Sequence, residues 1–213
     1  SYWSAFLGTL HAAHRDRKIK ENPCPYLERV KTIPTDRVGL SAEELIQLAE
    51  TPCDVPILRT AFLFSCLTGL RKSDVKPFSW ELIQPEADGT LYITDRMQKT
   101  DQIVHNPIGE EALALIDDGI REGIVFRGFK DSMTQAPLKR WVKAAGITKH
   151  ITYHSSRHTF CSLQLHAGTD VNTVKELVGH KNISTTQQYL DSVDSRKKDA
   201  ANRITIKRKE EHP

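Results

Sequence analysis

Apolar residues recur at helical spacing along most of this chain, interrupted over about residues 80–108 by short runs rich in β-formers. A first helix is expected from residue 1 to about 20, with Trp3, Phe6, Leu7 and Leu10 on one face and a basic end at His14, Arg15, Arg17, Lys18 and Lys20. Glu21-Asn22-Pro23-Cys24-Pro25 stops it. The stretch that follows, to Arg37, has no period but carries Arg29, Lys31 and Arg37. Ser41-Ala42-Glu43-Glu44 has the form of a capping box, serine and glutamate each satisfying an otherwise unpaired amide. A further helix starts near Pro56 and runs through Leu58, Ala61, Phe62, Phe64 and Leu67 to a stop at Gly69. Runs at about 80–84, 90–95 and 102–108, with turn residues such as Asp88-Gly89 between them, predict a small antiparallel sheet. Helical periodicity then returns over about 109–121, 134–145, 153–166, 171–178, 184–190 and 194–202, the last four behind the candidate N-caps Thr152, Asp170, Ser184 and Asp194. The expected architecture is mainly α (α+β): helical, with one small antiparallel β-sheet and no internal repeat.

Composition narrows the class without naming a function. The chain has 213 residues, 38% of them hydrophobic, which suits one good-sized globular domain with an appendage and not a disordered segment. Four cysteines lie far apart with no Cys-x-x-Cys spacing, so neither a disulfide framework nor a zinc cluster is expected. Cys66 and Cys161 fall in apolar helical runs and read as buried reduced thiols. No apolar stretch reaches the roughly 20 residues of a membrane span, and the first residues lack the order of a signal peptide. A reducing cytoplasm is the expected setting. The net charge of +3 proves nothing by itself about nucleic acid.

Six residues carry candidate chemistry: Arg71 after Thr68-Gly69-Leu70, Lys99 in Gln98-Lys99-Thr100, His154 and Arg157 in His154-Ser155-Ser156-Arg157-His158, His180 after Gly179, and Tyr189 after Gln187-Gln188. His154 and Arg157, three apart, share a helix face, and an N-cap at Thr152 places them in the first turn, where free amides favour an anion. Each also has an ordinary reading: a solvated polar face for that pair, a salt bridge to Asp74 for Arg71, an exposed hairpin turn for Lys99, a residue beyond a glycine C-cap for His180, and a core ring for Tyr189. His154 and His158 have the i, i+4 spacing of a zinc-binding helix, but Ser155 stands where that motif needs glutamate. There is also no Gly-x-x-x-x-Gly-Lys-Ser/Thr phosphate loop and no carboxylate cluster of the two-metal kind.

Taken together, in order and spacing over roughly residues 38–195, these segments resemble the tyrosine recombinase (phage integrase) family. Thr68-Gly69-Leu70-Arg71 is similar to its first arginine box, His154 to Phe160 to its histidine–arginine box, and Gln98-Lys99-Thr100 to its β-hairpin lysine. Leu177-Val178-Gly179-His180, followed by Thr185 to Tyr189, resembles the box with the nucleophile, with Val178 where leucine is usual. The resemblance implies the integrase-like catalytic domain of DNA breaking–rejoining enzymes at 38–213 with a C-terminal tail. It also implies a basic linker at 23–37, and at 1–22 the last helix of a core-binding domain that is mostly missing.

It further implies that Tyr189 attacks a scissile phosphate and forms a 3′-phosphotyrosine bond without metal, ATP or other cofactor. Free tyrosine is ionised in only about one molecule per thousand at pH 7, so the attack needs a base or cations that stabilise the phenolate. Arg71 and Arg157 would hold the non-bridging oxygens with forked donors, and His180 would add another. Lys99 would protonate the departing 5′-oxygen, and His154 would accept the tyrosine proton, a role that His180 could exchange with it. The implied partners are double-stranded DNA, further copies of the chain in a tetrameric synapse, and DNA-bending accessory proteins. Arg15, Lys18, Lys139, Arg140 and Lys143 are candidate DNA contacts, the last three either facing a groove or forming a solvated helix face. The basic residues at 196–198 and 207–209 either touch DNA or dock on a neighbouring protomer. The leading function is a site-specific recombinase, an integrase of a mobile element. The others are a type IB topoisomerase that relaxes DNA and a catalytically silent DNA-binding module.

Overall fold

The structure is a computed structural model that describes residues 2–28, 38–96, 103–180, 182–187 and 189. The chain divides into two compact units, Ser1–Asp36 and Arg37–Pro213. In the first, helix α1 (Tyr2–Arg15) is followed by a single 3-10 turn at Cys24–Tyr26. The helix is shorter than the expected 1–20, because Arg17 takes a left-handed conformation (φ 55°) that ends the α-helical ladder. Trp3 and Phe6 meet at a tilt on one face with ring centres 5.8 Å apart, as the spacing predicts.

In the second unit, α2 (Ala42–Glu50) opens with the expected capping box, Ser41 accepting from the Glu44 amide and Glu44 from the Ser41 amide. Helix α3 (Pro56–Thr68) is the centre of the domain. Leu58 and all residues from Ala61 to Cys66 are buried, so it is apolar nearly all round, as a helix enclosed by others must be. Phe62 meets Trp141 and Tyr153 edge-on, and Phe64 packs on Phe78 and Phe126. Each of these fully buried rings contributes about 1.5–3 kcal/mol of transfer free energy. Cys66 and Cys161 are buried free thiols, and burial pushes the Cys66 thiol well above its usual range.

The short helix α4 (Lys72–Val75) follows Arg71 directly. Strands β1 (Ile83–Pro85), β2 (Leu91–Arg96) and β3 (Ile103–Pro107) form an antiparallel sheet in that order, with Ile93 opposite Ile83 and Asn106. The expected strand at 80–84 begins instead as a 3-10 turn at Trp80–Leu82, with Trp80 buried. Gly89, at φ 84°, makes the turn into β2.

Helix α5 (Glu110–Ile116) is shorter than the expected 109–121. Asp117 leaves the helical conformation, and its carboxylate turns to the Gly119 amide and to Arg121. Helix α6 (Ala136–Ala144) is preceded by a 3-10 turn at Asp131–Thr134, where a continuous helix from 134 is predicted. Pro137 lacks the amide that such a continuation would use.

The last described helices are α7 (Ser155–His166), α8 (Val171–Leu177) and α9 (Ser184–Gln187). Asp170 caps α8 through the amides of Asn172 and Thr173, as expected. Thr152 does not cap α7: its own amide donates to Ser155 Oγ, and the residue at the cap position is His154. Ser184 is the first residue of α9 and not its cap, since its amide donates to Asn182 Oδ1. The predicted helix at 194–202, with Asp194, lies outside the described residues. Among the described residues no helix is long and apolar enough to cross a membrane.

Helix α7, helix α8 with its cap residue, and Tyr189 beyond the end of α9 share a second apolar cluster of Phe160, Cys161, Leu165, Val174, Val178 and Tyr189. It adjoins the end of α3, and here the candidate site is assembled.

Candidate active site

Two helix C-termini build the site. Helix α3 ends at Gly69, which takes the left-handed conformation at φ 71° and donates its amide to Ser65 O. Helix α8 ends at Gly179 (φ 58°) with the paired bonds of a Schellman motif, Gly179 N–H to Glu176 O and His180 N–H to Lys175 O. A helix terminus leaves carbonyls unpaired and carries partial negative charge, so both ends attract cationic donors.

Arg157 answers both of them. Its residue is only 2% exposed; Nη1 donates to Gly69 O at 2.8 Å and Nη2 donates to Val178 O. The guanidinium therefore ties α7 to the ends of α3 and α8. Burial, reinforced by the nearby positive charge of Arg71, lowers its pKa to about 10, which leaves it charged at neutral pH.

Arg71 approaches from the other side. The turn at Gly69 buries Leu70 and delivers Arg71 to the start of α4, where its side chain is 13% exposed. Nη2 lies 3.5 Å from Gly179 O, at the limit of a hydrogen bond, and Nη1 lies 4.0 Å from the buried Asp74 carboxylate. That ion pair is the salt bridge expected for this arginine, and it coexists with a place in the cleft. Burial lowers the Arg71 pKa and Asp74 opposes the shift. Its Nη1 is buried without a hydrogen-bond acceptor among the described residues and faces Asp74 Oδ2 at ion-pair distance.

Three successive carbonyls at the end of α8 are thus taken by three different elements. Asn106 of β3 donates to Leu177 O at 2.6 Å, Arg157 of α7 to Val178 O, and Arg71 to Gly179 O.

The turn at Gly69 is steric as well as conformational. A Cβ at this position would lie 2.6 Å from Phe160 Cδ1 and 3.0 Å from Val178 Cγ1. Gly69→Ala is expected to destabilise the protein by more than the roughly 1–2 kcal/mol of the left-handed backbone alone. It should also displace the carbonyl that holds Arg157. Thermal unfolding measures the first effect, and the rate of DNA cleavage the second.

The remaining candidates fall around the arginines. A cleft of about 490 Å³ is lined by Arg71, Lys72, Lys139, His150, His154 and Arg157, with Ser73, Gln135 and Thr152 among its other walls. His154 is exposed on this cleft, and its ring meets that of His158 edge-on at 4.5 Å. His180 is fixed through Nδ1 by the buried hydroxyl of Thr186, 2.9 Å away. Tyr189 is 4% exposed: its ring belongs to the second apolar cluster, and its hydroxyl is hydrogen-bonded to His158 Nδ1. Lys99 lies outside the described residues.

His158 is the site residue that the sequence does not single out. Its spacing from His154 suggests only half of a zinc pair, and its contact with Tyr189 depends on how the segment after α8 folds back toward α7. Among the described residues no group of three His, Cys, Asp or Glu side chains is placed to hold a metal ion.

The basic residues of α6 are all exposed. Lys139 lines the cleft, whereas Arg140 lies 3.9 Å from Asp54 beside a separate hollow, and Lys143 is exposed. In the first unit Arg15 pairs with Asp16 at 3.1 Å and Lys18 is exposed. Arg29, Lys31, Arg37 and the basic C-terminal runs lie outside the described residues.

The chain is similar to several known proteins. The chain is 29% identical over 164 residues to tyrosine recombinase XerC of Xanthomonas campestris pv. campestris, an alignment covering 70% of this chain and 50% of that protein. It is 28% identical over 185 residues to tyrosine recombinase XerC of Xylella fastidiosa, covering 80% and 62%. The chain thus spans about half to three fifths of the curated relatives it matches. Its fold resembles that of a lambda integrase (75–356) dimer bound to a COC′ core site, with a TM-score of 0.69, 20% identity, and coverage of 96% of this chain and 74% of that one. It also resembles XerA recombinase, with a TM-score of 0.62, 23% identity, and coverage of 84% and 67%. The family model described as "Phage integrase family" matches residues 40–196, which run from the start of α2 past Tyr189, and on that match the chain belongs to the phage integrase family.

Proposed function

We propose that this chain is the catalytic part of a site-specific DNA recombinase that cleaves and rejoins double-stranded DNA through a 3′-phosphotyrosine bond at Tyr189. The observation that carries the reading is the grouping of two charged arginines, each held by helix-end carbonyls, in the same site as a tyrosine whose hydroxyl is already hydrogen-bonded to a histidine. Arg71 and Arg157 bind the non-bridging oxygens, where charge builds in the transition state and preorganised donors help most. His180 and His154 donate to the same phosphate, and Lys99 protonates the departing 5′-oxygen. Lys139 sits on the cleft wall, where it meets the DNA backbone. Because one phosphoester replaces another, the bond energy is conserved and no nucleotide cofactor is required. The recombining assembly is a tetramer of the full protein on two DNA sites.

The finer reading is an integrase of a mobile element. It is supported by the 44% identity over 70 residues to an Escherichia coli protein named integrase/recombinase, an alignment that covers 32% of this chain and 21% of that protein. The rival activity, relaxation of DNA in the manner of a type IB topoisomerase, shares the same chemistry. Supercoil relaxation assayed beside paired-site recombination separates the two: recombination of paired sites is the expected result.

The direct test is a suicide substrate nicked beside the cleavage site. The protein is expected to form an SDS-stable adduct with DNA in EDTA, and Tyr189→Phe to form none. Loss of the adduct on chelation, or its survival in the Phe variant, overturns the mechanism.

A further inference from the structure

We infer that His158, and not His154, takes the proton from Tyr189 when the tyrosine attacks. This rests on the recombinase reading above and adds to it the identity of the base. The carrying observation is the hydrogen bond between His158 Nδ1 and the Tyr189 hydroxyl. Nδ1 accepts this bond when the neutral ring carries its hydrogen on Nε2, so the phenol is the donor and the transfer follows the existing bond.

Packing supports the assignment from both sides. Tyr189 is held by its ring among Phe160, Cys161, Leu165, Val174 and Val178, which fixes the direction of its hydroxyl. His158 lies one residue beyond Arg157 on α7, so the helix that holds the phosphate-binding guanidinium also holds the proton acceptor. His154 is placed differently. It lies on the cleft beside Arg71 and Arg157, where a donor to the phosphate belongs, and its ring meets His158 edge-on at 4.5 Å. The two histidines thus divide between the two reacting oxygens, His158 on the phenol and His154 toward the phosphate.

The step balances without any further reagent. The bond from the Tyr189 oxygen to phosphorus forms as the bond from phosphorus to the 5′-oxygen breaks. The phenolic proton passes to His158 Nδ1, and the 5′-oxygen leaves with the proton that Lys99 supplies. Religation runs the same transfers in reverse, so His158 then returns the proton to Tyr189.

The test is single-turnover cleavage of the nicked suicide substrate by the intact gene product, with DNA binding measured in parallel. Asparagine can keep a hydrogen bond to the tyrosine hydroxyl but cannot take its proton. His158→Asn is therefore expected to bind DNA normally and to cleave about 10²–10⁴-fold more slowly, the usual contribution of a general base. His158→Ala should be equally slow and be partly restored by added imidazole, a rescue that a packing role would not produce.

Cleavage by His158→Asn within about threefold of wild type overturns the inference, since a lost base costs at least about a hundredfold. So does a loss in His158→Ala that imidazole leaves untouched, or an imidazole rescue found in His154→Ala instead. If the unaltered protein forms no adduct at all, the transesterification reading itself falls. If it forms one that the His158 variants leave undiminished, only the assignment of the base falls.

Discussion

Arg157→Ala is expected to cost the protein both its chemistry and part of its stability. The guanidinium is the shared donor to Gly69 O and Val178 O, and its removal strands two carbonyls in a site that water barely reaches. A buried acceptor left unsatisfied costs about 1–3 kcal/mol, so a destabilisation of about 2–6 kcal/mol is expected for the pair. Cleavage should fall by at least the roughly 10²–10³-fold measured when one oxyanion donor is removed elsewhere. Arg157→Lys should recover little, because one ammonium cannot reproduce the planar fork that spans two helix ends. Arg71→Ala provides the contrast. That side chain is held by one contact at 3.5 Å and an ion pair at 4.0 Å, so its loss should cost less than half as much stability for a similar loss of cleavage. Urea denaturation beside single-turnover cleavage measures both quantities. Equal stability losses in the two alanine variants would contradict the division of labour drawn here.

Tyr189 should separate chemistry from packing in the opposite way. In Tyr189→Phe the ring keeps its place among Phe160, Leu165, Val174 and Val178 and only the hydroxyl is lost. One hydrogen bond to a half-buried histidine contributes about 0.5–1.5 kcal/mol net, so the variant should fold nearly as well as wild type and form no adduct. Tyr189→Ala removes the ring from a cluster of six buried residues, and a loss of about 3–5 kcal/mol is expected, as for other large aromatic truncations. A Tyr189→Ala protein as stable as Tyr189→Phe would show that the ring is not part of that core.

Much of this arrangement is legible in the sequence because it depends on local rules. An apolar run closed by glycine predicts the end of α3, and the residue after such a turn is held rigidly, which makes Arg71 a candidate on the sequence alone. The capping box at Ser41 and the cap at Asp170 are equally local, and both form. The sequence misleads where a side chain has two possible partners. Thr152 has the form of a cap for the next turn, but its own amide donates to Ser155. Elsewhere the sequence leaves a choice that packing refines: the buried Leu138, Trp141 and Val142 leave Lys139 on the cleft and Arg140 near Asp54.

Two features cannot be read from the sequence at all. Backbone acceptors carry no residue identity, so nothing in the letters indicates that the two arginines are gripped by carbonyls. The contact of His158 with Tyr189 joins residues 31 apart through tertiary packing. Sequence spacing offers His158 only as a neighbour of His154.

The end of α8 also acts as an interlock. The carbonyls of Leu177, Val178 and Gly179 are held by the sheet, by α7 and by the start of α4, and the chain that leaves them continues through His180 toward Tyr189. A displacement of the segment carrying Tyr189 would act first on the carbonyls to which Arg157 and Arg71 donate. On the proposed mechanism, a protein whose tyrosine is drawn out of position would loosen its hold on the phosphate as well.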